Sequence, residues 1–150
     1  PIHRQLLGWA ADLHETGLCV SHSQYQLHSG YLVENSDMAG FTRQEQLFLA
    51  ALVRHHRRAV PRGFSDKLPT RMHGSLRGTL LCLRFAGILC RSRDDAALPE
   101  FRLSGVDNAI SADLPADWIA AHPLTVFDLQ QEARDLRATG LQFRLNAVAA

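Results

Sequence analysis

Leu13-His14-Glu15-Thr16-Gly17 opens the stretch that decides the fold, and Ser21-His22-Ser23, His28-Ser29-Gly30-Tyr31, Asn35-Ser36-Asp37 and Leu52-Val53-Arg54-His55-His56 continue it. Each group sits at an edge of an apolar run with helical spacing. Upstream, Ile2, Leu6, Leu7, Ala10 and Leu13 share one helix face, so residues 2–16 read as a helix with Gly17 as its cap. Ser21 or Ser23 can cap a second helix running to about Glu34, with Leu27, Tyr31 and Leu32 inward. Thr42-Arg43-Gln44-Glu45 is a capping box, and it starts a third helix that runs through Leu47, Phe48, Leu52 and Val53 to about Arg57. That helix is apolar nearly all round, which marks it as central.

Residues 60–70 hold Pro61, Gly63 and Pro69 and read as a loop. A fourth apolar helix covers residues 71–91. After Arg93 the pattern changes. Phe101, Leu103 and Val106, then Ala109-Ile110-Ser111-Ala112, look like short strands about the turn Val106-Asp107-Asn108. A short helix is predicted over Asp113–His122 and a longer one over Thr125–Ala138, ended by Gly140, before a final alternating strand at Leu141, Phe143 and Leu145. The expectation is a mainly α chain in two parts: a helical bundle over residues 1–95, then a small α+β domain with a short antiparallel sheet over residues 96–150.

The chain has 150 residues, and its net charge of +1 conceals a strong asymmetry. Six arginines and Lys67 stand against Asp66 alone over residues 54–77, between acidic flanks. A local anion site is the natural reading. Arg54, Arg57 and Arg58, at i, i+3 and i+4, would share one helix face, and Arg62, Lys67 and Arg71 would extend them as a rail. Arginine donors match phosphate oxygens bidentately, and lysine adds a point charge. The plain structural alternative is a solvated helix end whose cations suit the helix dipole. Nucleic acid is a poor candidate for this charge, because Phe64 is the sole aromatic in the block and no recognition motif is present.

No apolar run is long enough to cross a bilayer. Cys19, Cys82 and Cys90 are odd in number and read as buried, reduced thiols, consistent with the cytoplasm. Pro1 in place of an initiator methionine suggests a piece of a longer chain.

The histidines admit two readings. His14, Glu15, His28 and His55, on successive helices, could hold a metal ion that acidifies a bound water. The arrangement resembles the frame of HD-type metal-dependent phosphohydrolases. Glu15 stands where that frame has an aspartate, and Gly87 and Cys90 occupy the places of its closing aspartate. The other reading is that the three histidines are hydrogen-bonded structural residues. His22 and His56 could instead join the arginines as phosphate donors.

Taken together, Trp9 to Gly17, Ser21-His22-Ser23, His28 to Tyr31, Asn35 to Phe41, Leu52 to Arg58, Asp117-Trp118-Ile119, His122 to Thr125, and Asp128 with Glu132 resemble the C-terminal region of bacterial exopolyphosphatases and guanosine pentaphosphate phosphohydrolases. The resemblance implies an HD-like helical domain followed by a small α+β domain. It also implies a parent enzyme with N-terminal actin-like domains that carry the catalysis and require Mg²⁺. The region itself would have no catalytic centre or cofactor; it would bind inorganic polyphosphate or guanosine pentaphosphate and aid a homodimer. Arg54, His55, Arg57 and Arg58 are the first candidates for that contact, with His22 and His28 next and Arg62, Lys67 and Arg71 flanking. An autonomous metal-dependent hydrolase and a pure dimerisation module are the competing expectations.

Overall fold

The computed structural model describes residues 1–91, 98–106 and 108–149. Its residues group into two compact units, Pro1–Leu83 and Arg84–Ala150. The boundary expected near residue 95 lies outside the described residues, as does Asp107 of the expected turn. The chain is mainly helical with one small sheet, as the sequence pattern implies.

The first unit holds α1 (Ile2–Leu13), a short 3₁₀ helix (Thr16–Cys19), α2 (Tyr25–Asn35), α3 (Arg43–His55) and most of α4 (Thr70–Leu89). α3 is central. Phe48, Leu49, Leu52 and Val53 have no exposure, and α1 and α2 both pack on it. Its start is the capping box read from the sequence: Glu45 N–H donates to Thr42 Oγ1 at 3.2 Å, and Thr42 N–H donates to the Glu45 carboxylate at 2.8 Å. Leu6 and Ala10 of α1 and Leu76, Leu80 and Leu81 of α4 are also buried, as are Val60, Phe64 and Leu68 of the loop before α4. Each such leucine or phenylalanine contributes about 1.5–3 kcal/mol through burial.

Two glycines set how closely α2 can be approached. A Cβ on Gly30 would come 2.6 Å from Arg54 Cβ, so α2 and α3 lie nearly backbone to backbone there. A Cβ on Gly17 would come 2.1 Å from the Tyr25 carbonyl oxygen. Gly17 is therefore required by contact with α2. The cap of α1 is His14, in right-handed helical geometry, and α1 ends at Leu13 rather than at residue 16.

Two other boundaries differ from expectation. Neither Ser21 nor Ser23 caps α2. Ser21 Oγ instead accepts from Ser23 N–H at 3.2 Å in a tight turn, and the N-cap is Gln24 in the left-handed region at φ +50°. α3 stops at His55 with His56 as its cap, and Arg58 follows at φ +65°. Arg57 and Arg58 thus lie beyond the helix, so the helical face expected for Arg54, Arg57 and Arg58 does not form.

The second unit contains the last turns of α4, then β1 (Arg102–Val106), β2 (Ala109–Pro115), α5 (Ala116–Ala121), α6 (Pro123–Arg137) and β3 (Gln142–Val148). β2 continues to Pro115, so the helix predicted from Asp113 begins later. Ile110, Ala112 and Leu114 alternate inward, a period-two burial that carries the strand through those residues. The expected antiparallel pairing holds for β1 and β2. β3 joins β2 in parallel, because α5 and α6 return the chain to the same end of the sheet. Gly140 at φ +80° and the bond from Leu141 N–H to Leu136 O close α6 and launch β3.

Phe85 lies against Phe101 and Phe143 at ring distances of 5.4 and 5.5 Å. Arg84, 7% exposed, makes a two-pronged ion pair with Glu132, and Arg91 pairs with Asp128 at 2.6 Å. Asp128 and Glu132, one turn apart on α6, therefore tie that helix to the end of α4.

The cysteines are free, but only Cys82 is shielded; burial pushes its thiol pKa up. Cys19 and Cys90 are exposed, because one ends the 3₁₀ helix at the surface and the other lies just past α4. Among the described residues no helix is long and apolar enough to cross a membrane.

Candidate anion-binding site

Ser29 fixes the region around the histidines. It is fully buried on α2, and its hydroxyl accepts from Gly17 N–H at 2.7 Å and donates to His14 O at 2.9 Å. One side chain thus locks the end of α1 and the 3₁₀ helix onto α2. His14 Nδ1 lies 2.6 Å from Ala11 O, and His56 Nδ1 lies 2.6 Å from Val53 O. A carbonyl only accepts, so each Nδ1 carries the hydrogen. The two rings meet edge to face at 4.9 Å, and Glu15 Oε1 is 3.9 Å from His14 Nε2.

Tyr25 begins α2 beside this pair. Its ring is 5.8 Å from His56 and 6.3 Å from His22, and the Arg57 guanidinium sits 4.5 Å above its centroid. Next to it opens a cleft of about 560 Å³ lined by His22, Ser23, Gln24, Arg57 and Arg58. The lining holds two guanidinia, an imidazole, a hydroxyl and an amide, and no carboxylate. Among the described residues, Gln24 and Arg58 are the non-glycine residues with positive φ, and both line this cleft. Left-handed backbone at such residues is costly and concentrates at binding sites.

The other candidates lie elsewhere. Arg54, His55 and Lys67 line a second, smaller cleft of about 270 Å³ together with Glu34, Leu47, Phe64 and Leu68. There Lys67 Nζ is 2.5 Å from Glu34 Oε1, and His55, nearly buried, lies edge-on to Phe64 at 5.8 Å. Arg71 donates to Gln44 Oε1 at 2.8 Å, and Arg62 is exposed outside both clefts. His28 is half-buried on α2 outside both linings. The basic block is therefore divided between two clefts, with Arg62 and Arg71 in neither lining, and part of its charge is already engaged.

The proposed metal donors also separate: His14 faces His56, while His55 turns to Phe64. Among the described residues, no group of three or more His, Cys, Asp or Glu side chains converges to hold a metal. Mg²⁺ takes oxygen ligands, and imidazoles with the single carboxylate of Glu15 do not fit it. The residues lining the first cleft suit an oxyanion better, since its arginines and histidine carry N–H donors and no carboxylate lines it.

Tyr25 and Gln24 are absent from the sequence-derived candidates. Tyr25 lies more than 30 positions from Arg57 in the chain, so a search for aromatics near the basic block finds only Phe64. The signal available was Tyr25 three residues after His22.

A family model described as Ppx/GppA phosphatase, domain III, matches residues 2–133. A protein of Pseudoalteromonas translucida named guanosine-5'-triphosphate,3'-diphosphate pyrophosphatase is 35% identical over 142 residues, covering 94% of this chain and 28% of the relative. Proteins of the same name from Vibrio atlanticus and Aeromonas hydrophila are 36% identical over 146 residues and 32% identical over 148 residues. These cover 94% and 95% of this chain, and 28% and 29% of the relatives. The chain thus spans under a third of the length of these relatives. With a helical unit carrying the histidine and arginine cluster, and a small sheet unit after it, the chain belongs to the Ppx/GppA phosphatase family and corresponds to its domain III.

Proposed function

We propose that this chain is the accessory region of a phosphohydrolase, and that its cleft at His22, Arg57 and Arg58 holds the phosphate chain of the substrate. The observation that carries the reading is the lining itself: two guanidinia and an imidazole converge on one cleft that contains no carboxylate. Arginines so placed grip phosphate oxygens through charge-assisted N–H bonds without performing chemistry, and the imidazole adds a further N–H donor. The reaction of the whole protein is water attack on a terminal phosphorus. The bond from that phosphorus to the bridging oxygen breaks, the shortened phosphate chain departs with the bridging oxygen, and the attacked phosphorus is released as orthophosphate. That step, and the Mg²⁺ it needs, belong to parts of the protein outside this chain.

Inorganic polyphosphate and guanosine pentaphosphate share this chemistry. The names of the relatives favour guanosine-5'-triphosphate,3'-diphosphate. The case for a long polyphosphate path is weakened because the basic residues do not line one cleft, and Lys67 is engaged by Glu34. Homodimerisation and a cytoplasmic location complete the proposal. The first rests on the family resemblance, and the second is supported by three unpaired cysteines.

Isothermal titration of the chain with tripolyphosphate and with guanosine pentaphosphate, at low and high salt, tests the reading. Affinity is expected to fall steeply with salt. The Arg57→Ala/Arg58→Ala double variant should bind at least about tenfold more weakly, since each charge-assisted bond is worth roughly 1.5–3 kcal/mol. Equal affinity of the double variant and wild type would overturn it.

A further inference from the structure

We propose that Tyr25 is the positioning residue of this cleft: its ring is the platform that holds the Arg57 guanidinium toward bound phosphate. The inference rests on the anion-binding reading above. Arg57 lies two residues beyond the end of α3, so no helix backbone fixes it. A long arginine side chain in that position samples many rotamers unless something holds it. Here the guanidinium carbon sits 4.5 Å above the Tyr25 ring centroid. A guanidinium lying over a ring spends its face on the π-system and leaves its N–H edges free for a bidentate oxyanion.

Tyr25 is itself well anchored. It begins α2, immediately after Gln24 at φ +50°, and its carbonyl lies against Gly17 so closely that no side chain fits there. Gly17 in turn is bonded to the buried Ser29. The chain of contacts therefore runs from a rigid, buried hydroxyl through the Tyr25 backbone to an otherwise loose arginine. The ring also touches His22, a second lining residue, at 6.3 Å, and His56 at 5.8 Å. Tyr25 thus lies beside two of the N–H donor groups of the cleft, Arg57 and His22, while lying outside its lining.

The test compares tripolyphosphate affinity for wild type, Tyr25→Phe, Tyr25→Leu, Arg57→Ala and the Tyr25→Leu/Arg57→Ala double variant, alongside the NMR shifts of the Arg57 Hδ protons in the free chain. Tyr25→Phe keeps the ring and should bind within about twofold of wild type. Tyr25→Leu should bind about two- to fivefold more weakly, the span of an exposed cation–π contact. The double variant should bind no more weakly than Arg57→Ala alone, because the two residues act as one unit. In wild type and Tyr25→Phe the Arg57 Hδ signals should be shifted upfield by the ring, and in Tyr25→Leu they should return to the coil position. Hδ signals at the coil position in wild type overturn the proposal, whatever the variants do. Wild-type affinity in Tyr25→Leu together with weakened binding in Arg57→Ala also overturns it, and leaves the cleft reading standing. No change in Arg57→Ala removes the cleft reading and this inference with it.

Discussion

Replacing Ser29 by alanine should destabilise the first unit by about 2–4 kcal/mol. Ser29 has no solvent exposure and serves two partners at once. Its loss strands Gly17 N–H, whose bond to Ser29 Oγ is buried. A buried donor left without a partner costs roughly 1–3 kcal/mol. The His14 carbonyl loses its bond as well, but that bond is only partly buried, so water recovers some of it and the net loss is about 0.5–1.5 kcal/mol. Trp9 and Trp118 are the two tryptophans of the chain and fall in different units. In a Trp118→Phe background, Trp9, which packs edge-on against Phe41 at 5.0 Å, reports the first unit alone. Urea titration followed by its fluorescence should show a lower midpoint with an unchanged slope. Ser23→Ala is the control, since that side chain is exposed and its change should stay within about 0.5 kcal/mol. A loss below about 1 kcal/mol for Ser29→Ala would refute the view that this hydroxyl locks α1 and the 3₁₀ helix to α2.

Glu132→Ala should cost the second unit roughly 1.5–3 kcal/mol, the worth of hydrogen bonds to a charged group, because it removes the two-pronged pair that Arg84 makes with α6; a Trp118-monitored urea titration measures it. Gln24→Gly should stabilise the chain by roughly 0.5–1 kcal/mol, the relief of left-handed strain of about 1–2 kcal/mol less the entropy glycine adds to the unfolded chain; thermal melting checks the sign. Glu45 accepts from Thr42 N–H, which holds its pKa below the usual carboxylate value. Its stabilisation is therefore fully present above the ordinary glutamate range and disappears as pH falls through the lower folded value. Glu45→Gln should flatten the acid limb of stability against pH, and an unchanged limb would count against it.

The elements that could be read from the sequence were those whose cause is local. Thr42 and Glu45 carry the whole geometry of the α3 start in four residues, and the apolar girdle of α3 states its burial. Gly140 closes α6 where its place in the pattern says it should. What could not be read depends on partners distant in the chain. Gly17 looks like a helix cap until Tyr25 is placed against it. Arg54, Arg57 and Arg58 look like one helix face until α3 is seen to stop at His55, and periodicity alone gives no stop signal there. β3 looks like any alternating strand, and its parallel direction follows from the path of α5 and α6. Of the residues that line the proposed cleft, His22, Arg57 and Arg58 were already phosphate-contact candidates from their donor chemistry, although the helical spacing that linked the arginines does not hold, whereas Tyr25 was hidden by its separation from the basic block. The engagement of part of that block was hidden as well, because Glu34 and Gln44, the partners of Lys67 and Arg71, lie on earlier helices.

Amide and side-chain shift mapping of the chain during tripolyphosphate titration asks most directly where phosphate sits. Saturable shifts centred on His22, Ser23, Gln24, Arg57 and Arg58, with Arg54, Lys67 and Arg71 little changed, are the outcome that the carboxylate-free cleft requires. Shifts centred on Arg54 and Lys67, or none up to millimolar ligand at low salt, would contradict it.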